Sequence, residues 1–365
     1  MKRISINLIL LCLTISLSAK DKPNVIILLA DDLGWADLGY QGSDDIRSPH
    51  IDSLAKNGIR FTDGHVSASV CSPSRAGLMT GRYQQRFGHE ANSPPPSGGM
   101  DLEQITMADR LKKLGYRTGL IGKWHLGNQD EFYPTRRGFD YFYGLRSGSR
   151  SYFYNAKNDD KPGNVRAIEE NGKPVKFDGY LTDVFGQKAI DFINAKDDKP
   201  FFLFHSFTAP HGPMHATEED KALFASIENT KRRSYAAMIW AMDRAIGQLV
   251  DALKAAGEFE NTLIWFLSDN GGATGNASIN LPLAGHKGIK FEGGTRVPFF
   301  AHWPRKFKKP KEFNPMMISL DIMATSLAAA GEKQSALKNL EGTNLLPFLD
   351  GKKKKPPHQY LYWHK

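Results

Sequence analysis

The chain has 365 residues, 41% hydrophobic and 24% charged, and a formal net charge of +9. That composition is globular, and the length allows one large domain or two ordinary ones. The basic balance favours anionic partners. No basic helix with interleaved aromatics and no zinc-finger spacing is present, so nucleic acid is excluded as the expected partner.

Residues 1–19 read as a secretory signal peptide. Lys2 and Arg3 precede an apolar run from about Ile6 to Leu17, and small residues follow at Ser18 and Ala19. The run is too short for a comfortable membrane span, and no later segment is long and apolar enough to be one. The expected residence is secreted or periplasmic. Of the two cysteines, Cys12 lies within the signal, so Cys71 is the one thiol left after cleavage. It has no partner for an internal disulfide. A leftover cysteine in an exported chain points to intermolecular pairing or special chemistry; the alternative is a buried, inert thiol.

Asn24–Ala30 (NVIILLA) is a continuous apolar run, as in a strand buried on both faces. Asp31 and Asp32 follow it directly. Ser48-Pro49 opens a helix through about Lys56. Cys71-Ser72-Pro73 reads as a second helix start, with Ser72 as N-cap and Pro73 as first helical residue. That places residue 71 at the positive end of a helix dipole, where an anion is favoured, with Arg75 within one turn. Residues 88–100, rich in Pro, Gly and Ser, and the polar residues 145–178 are long excursions expected to rim a pocket. A helix is expected over Ile105–Leu114 and a strand over Arg117–Gly122. If the extended backbone continues past Gly122, Lys123 and His125 point to one side.

A helix over Leu181–Asn194 and a strand over Phe201–Phe207 come next, followed by Ala209-Pro210-His211-Gly212-Pro213 at that strand's end. Arg233–Ala256 is a long amphipathic helix. Thr262–Ser268 (TLIWFLS) is another buried strand, with Asp269 and Asn270 directly after it. His286-Lys287-Gly288 lies in a Gly-rich loop. Val297–His302 closes the strands, and Asp321–Ala330 is a helix stopped by Gly331. Buried strands separated by helices imply an α/β fold with a mostly parallel central sheet sandwiched by helices.

Ligand sites in such sheets form beyond the carboxyl ends of strands. Two strands deliver Asp31, Asp32, Asp269 and Asn270 there, hard oxygen donors suited to Ca²⁺ or Mg²⁺; the alternative is ordinary turn chemistry. Lys123, Lys287, Arg75, His125 and His211 surround them. That set suits an anion whose leaving group needs a proton.

Cys71-Ser72-Pro73-Ser74-Arg75 resembles the C-x-P-S-R signature of the type I sulfatases, of the alkaline-phosphatase-like superfamily. "LLADDLGWADLGYQGS", "SPHIDSLAKNGIRFT", "GKWHLG", "APHGP", "LSDNGG" and "HKGIKFEGGTRVPFF" match in the family's order, across most of residues 23–350. The resemblance implies a secreted, calcium-dependent hydrolase of O-sulfate esters, with a sulfated carbohydrate or aryl sulfate as substrate. It implies that a separate maturation enzyme, reading Pro73 and Arg75, oxidises Cys71 to formylglycine. The hydrated aldehyde attacks sulfur, His211 protonates the leaving alcohol, and His125 deprotonates the second hydroxyl to expel sulfate. Asp31, Asp32, Asp269 and Asn270 hold one Ca²⁺, with residue 71 in its shell. Lys123 and Lys287 bind sulfate oxygens, and Arg75 holds the oxygens at position 71. Residues 20–350 are the expected catalytic domain. Residues 351–365 are the expected start of a small C-terminal antiparallel subdomain, here truncated. Two alternatives stand beside this: a phosphate or phosphonate monoester hydrolase of the same superfamily, and a non-catalytic, Ca²⁺-stabilised binder of sulfated glycans.

Overall fold

A computed structural model describes residues 22–92, 98–195 and 197–364. The signal-peptide expectation falls on residues outside these. The core is a ten-stranded sheet in the order β11-β2-β10-β9-β1-β8-β4-β5-β6-β7. Its centre is five parallel strands: β9 (Thr262–Ser268), β1 (Asn24–Ala30), β8 (Phe201–Ser206), β4 (Arg117–Lys123) and β5 (Tyr141–Leu145). On one side β10 (Phe299–His302) runs antiparallel to both β9 and β2 (Ile59–Phe61), and β11 (Lys311–Phe313) pairs parallel with β2. On the other side the two-residue strands β6 (Glu169–Glu170) and β7 (Lys173–Pro174) continue antiparallel from β5. β3 (Gly64–His65) and β12 (Met317–Ile318) pair separately.

The continuous apolar runs become the central strands because both faces are covered. Ile26 and Leu28 of β1 pack with α1 (Pro49–Lys56), α4 (Leu181–Asn194) and α6 (Thr230–Ala255). Val25, Ile27 and Leu29 face α2 (Cys71–Thr80), α3 (Met107–Lys113) and α8 (Leu320–Ala329). The shorter helices α5 (Glu218–Ala222), α7 (Glu292–Thr295) and α9 (Leu346–Leu349) sit in connecting segments. Among the described residues no helix is long and apolar enough to cross a membrane.

The parallel sheet covered on both faces is as the sequence implies, with local corrections. The last expected strand begins at Phe299, not Val297, and runs antiparallel. The long helix starts at Thr230, because the Asn229 side chain accepts from Lys231 N and Arg232 N at 3.0 Å each. The third helix is shorter than expected because Thr106 and Asp109 form a reciprocal capping box that fixes its start. β5 was not expected: YFYGL ends at the excursion and carries no polar alternation. Residues 351–364 form no strand.

The second helix begins two residues earlier than its sequence suggests. Val70 is its N-cap and Cys71 its first residue. Ser72 is therefore inside the helix, and its hydroxyl is engaged elsewhere, donating to His125 O at 2.6 Å. The Ser72 amide is satisfied from outside by Asn92 Oδ1 at 3.0 Å. The whole of α2 is buried.

Candidate active site

β1 and β9 are parallel neighbours with Ala30 opposite Ser268, so the residues that follow emerge side by side. Asp32 N donates to Asp269 Oδ1 at 3.2 Å, and Asn270 Nδ2 donates to Asp32 Oδ1 at 2.8 Å. Asp32 takes a left-handed conformation, φ +66°, one that Asp tolerates better than most residues. All four side chains are buried.

The buried start of α2 closes over this edge. Cys71 Sγ lies 3.6 Å from Asp31 Oδ1 and 3.7 Å from Asp32 Oδ1. Burial, with the Asp269 carboxylate nearby, pushes the thiol well above its ordinary range. The sequence reading of an anion favoured at residue 71 is thus reversed for the thiol itself: desolvation and the carboxylates outweigh the helix end and Lys123. With no divalent cation beside it, unmodified Cys71 is a neutral thiol.

Arg75, one turn along α2, ties three strand ends together. Its Nε and Nη2 each lie 2.9 Å from Asp269 Oδ2. Its Nη1 donates to Ser206 Oγ at 2.6 Å and Lys123 O at 3.2 Å. Lys123, fully buried at the end of β4, places Nζ 2.7 and 3.0 Å from the two Asp31 oxygens. Burial alone would raise the Asp31 pKa, but Lys123, His211 and Arg75 outweigh it and hold the carboxyl below its ordinary value. Lys287 reaches in from its loop, with Nζ 2.7 Å from Asp32 Oδ2.

The two histidines arrive by different routes. His211 Nδ1 pairs with Gly212 O at 2.6 Å, which fixes the tautomer and leaves Nε2 facing Asp32 Oδ2 at 3.5 Å. His125 does not continue the extended strand. Its φ is +60°, and this left-handed step, not strand alternation, brings its ring in beside Lys123. Its Nδ1 is sealed from solvent and has no partner among the described residues. Burial, then the nearby Lys123 and Arg75 cations, depress its pKa well below the ordinary value, so the imidazole is neutral. Gly148 leaves the room it needs: a Cβ there would lie 2.6 Å from His125 Nε2. His286 instead turns back onto Lys287 O at 2.9 Å.

Every expected site residue thus lies in one cluster, at the carboxyl edge of β1, β4, β8 and β9. Ligand atoms of Asp31, Asp32, Cys71 and His211 lie within 4.8 Å of one another. Asn270 Oδ1 is buried with no partner among the described residues. A buried amide oxygen costs free energy unless it accepts from a donor or binds a cation. Beside three carboxylates it fits a hard divalent cation.

Several supporting groups escaped the sequence reading. Ser206 and Ser72 are hydroxyls of common type, and only the fold reveals their partners. His89 Nε2 sits 2.6 Å from Ser72 Oγ, and burial pushes its pKa down to about 4. The first polar excursion reaches this layer through His89 and Asn92; its residues 93–97 lie outside the described residues. The second reaches the site through Gly148 and Tyr152, whose hydroxyl donates to His211 O at 2.8 Å. Exposed Phe153 lies beside His215, ring centroids 6.3 Å apart, and against Tyr180 at 5.5 Å.

The sulfatase family model matches residues 23–332, most of the chain. The chain belongs to the sulfatase family. Mouse arylsulfatase J is 37% identical over 78% of this chain, a match that covers 48% of that sulfatase's own length. Mouse N-acetylgalactosamine-6-sulfatase is 31% identical over 91% of this chain and 67% of its own. Among solved structures, Ps i-CgsB in complex with k-i-k-neocarrahexaose superposes with a TM-score of 0.87 at 39% identity, covering 92% of this chain and 78% of that one. The PsFucS1 sulfatase from Pseudoalteromonas sp. superposes at 0.77 with 31% identity, covering 95% and 76%. A sulfatase of this fold carries a large, mostly parallel sheet, as here.

Proposed function

We propose that the protein is an exported, calcium-dependent sulfatase that hydrolyses O-sulfate esters of carbohydrates, with formylglycine made from Cys71 as nucleophile and residues 20–350 as the catalytic domain. The observation that carries this reading is the position of Cys71. It heads a buried helix, against two carboxylates, with Lys123, Lys287, His125 and His211 around it. The hard oxygen donors here, and the divalent cation they would hold, match an oxygen function at position 71 better than soft sulfur. The surroundings make sense for an oxygen function in its place.

Asp31, Asp32, Asp269 and Asn270 Oδ1 would hold Ca²⁺, which supplies fixed positive charge at the reacting group. Formylglycine at position 71 supplies an oxygen nucleophile where the thiol stands. The protein's own side chains carry the rest. Lys123 and Lys287, now resting on Asp31 and Asp32, can share their donors with the sulfate oxygens. His211, with Nδ1–H committed to Gly212 O, acts as the imidazolium, whose Nε2–H passes to the oxygen that leaves when the S–O bond breaks. Neutral His125 accepts the proton given up on the nucleophile's side. Arg75 holds Asp269 and Ser206 in place while fixing positive charge behind residue 71.

The preference for carbohydrate over a small aryl group rests on the relatives, since the rim accommodates either. The exposed Phe153 ring beside His215 offers an apolar face next to the His211 loop, a setting suited to a sugar or an aryl ring with a few oriented polar groups. Of the relatives, one is an N-acetylgalactosamine-6-sulfatase, another was solved with k-i-k-neocarrahexaose. The test is side-by-side turnover of sulfate and phosphate esters of one alcohol, then of a sulfated oligosaccharide, by matured protein. Faster release of sulfate is expected. A phosphate rate well above the sulfate rate would make the protein a phosphoester hydrolase of this fold. Binding without any release would make it a glycan-binding relative.

A further inference from the structure

Away from the site, positive charge gathers on one ridge. Arg305, Lys306, Lys308, Lys309 and Lys311 follow β10, and the run Lys352 to Lys355 follows α9; every one is exposed. The fold brings these two segments together. Lys306 Nζ pairs with Asp350 at 2.9 Å, and the Lys311 ammonium donates to Leu349 O. The acids within the two segments are already engaged: Asp350 by Lys306, and Glu312 by Arg60 at 2.7 Å. Lys353 lies over the Phe348 ring, 5.1 Å from its centroid, and Lys308, Lys309, Lys352, Lys354 and Lys355 are exposed with no acidic partner among the described residues.

The ridge is remote from the catalytic edge. β10 is antiparallel to β9 with His302 opposite Ile264, so the chain leaves β10 at the end of the sheet where β9 begins. Asp269 and Asn270 lie at the other end. Like charges gathered on one ridge repel. A multivalent anion would relieve that repulsion and release its own counterions.

We propose that this ridge is a docking surface for a sulfated polysaccharide chain, engaged separately from the catalytic pocket. The choice of polymer rests on the proposed substrate class; the ridge itself does not. A lipid surface fits less well. The two segments expose no large apolar side chain and form no amphipathic helix. A repeating anion docked here raises the local concentration of its other sulfate esters at the active site.

The experiment compares matured wild type with a variant combining Lys308→Gln, Lys309→Gln, Lys352→Gln, Lys354→Gln and Lys355→Gln. None of these five side chains is paired with an acid among the described residues, and the Tm of both proteins checks folding. Affinity is measured for dextran sulfate, for unsulfated dextran and for phosphatidylserine-containing vesicles, at several salt concentrations. Wild type should bind dextran sulfate with a steep salt dependence and ignore dextran. The variant should bind about tenfold more weakly, with a flatter salt dependence. Equal affinity of the two proteins overturns the proposal, as does tighter binding to vesicles than to polymer. Loss of polymer binding in the variant, in a protein that releases no sulfate, would leave the ridge standing and sink the hydrolase reading.

Discussion

Asn270 shows how single residues carry this account. Its amide nitrogen bonds Asp32, which turns its oxygen into the site with no partner among the described residues. Cys71 is the second such residue. Cys71→Ala should abolish sulfate release while leaving Tm within a few degrees, since one small buried atom is lost; measurable turnover in that variant would sink the mechanism. Gly148 is the third. Gly148→Ala puts a methyl 2.6 Å from the His125 ring, so kcat should fall about tenfold or more through displacement of His125, with KM moving less. An unaltered kcat would mean that His125 moves no proton. The acidic pairs were legible in the sequence because they directly follow buried strands. The partners of Arg75 were not. A guanidinium reaches across several elements, and which carboxylate it finds is decided by tertiary packing.

At the scale of elements, α2 and β8 matter most. The expected cap of α2 failed because Ser72 serves His125 instead, and the helix's amide is met by Asn92, twenty residues on. Local spacing cannot report a partner that distant. The central strands were legible because their apolar runs are bounded by turn chemistry. β10 starts two residues later than expected, and its antiparallel direction was not legible, since a short apolar run does not encode orientation. β8 also buries His205, whose two ring nitrogens lack partners among the described residues and whose pKa burial pushes down to about 3. The folded state therefore refuses a proton that the unfolded chain accepts near pH 6.5. Stability is full above that pH and falls as pH drops from about 6.5 toward about 3, by about 1.4 kcal/mol per unit. His205→Leu should lose less stability than wild type between pH 6.5 and 4.5, measured by urea unfolding; parallel losses would show that His205 takes up its proton in the folded state.

For the whole molecule, the site links the ends of β1, β4, β8 and β9 to α2. An ion held by Asp31, Asp32, Asp269 and Asn270 would therefore stabilise the fold across its centre. Chelation should lower Tm and added Ca²⁺ should restore it, with a gain of about 2.7 kcal/mol at a hundredfold excess over Kd. A Tm indifferent to both would remove the metal from the account. The layered α/β architecture was visible in the alternation of buried strands and amphipathic helices. The convergence of residues 305–311 with 352–355 was not, because it depends on how the sheet's far edge folds back.

The central claim is that Cys71 is the precursor of the nucleophile. Mass measurement of the peptide spanning Cys71, from protein purified from its own host, tests it most directly. A peptide lighter by the exchange of a thiol-bearing side chain for an aldehyde is the predicted result. An unmodified thiol in protein that releases sulfate from its substrate would contradict it.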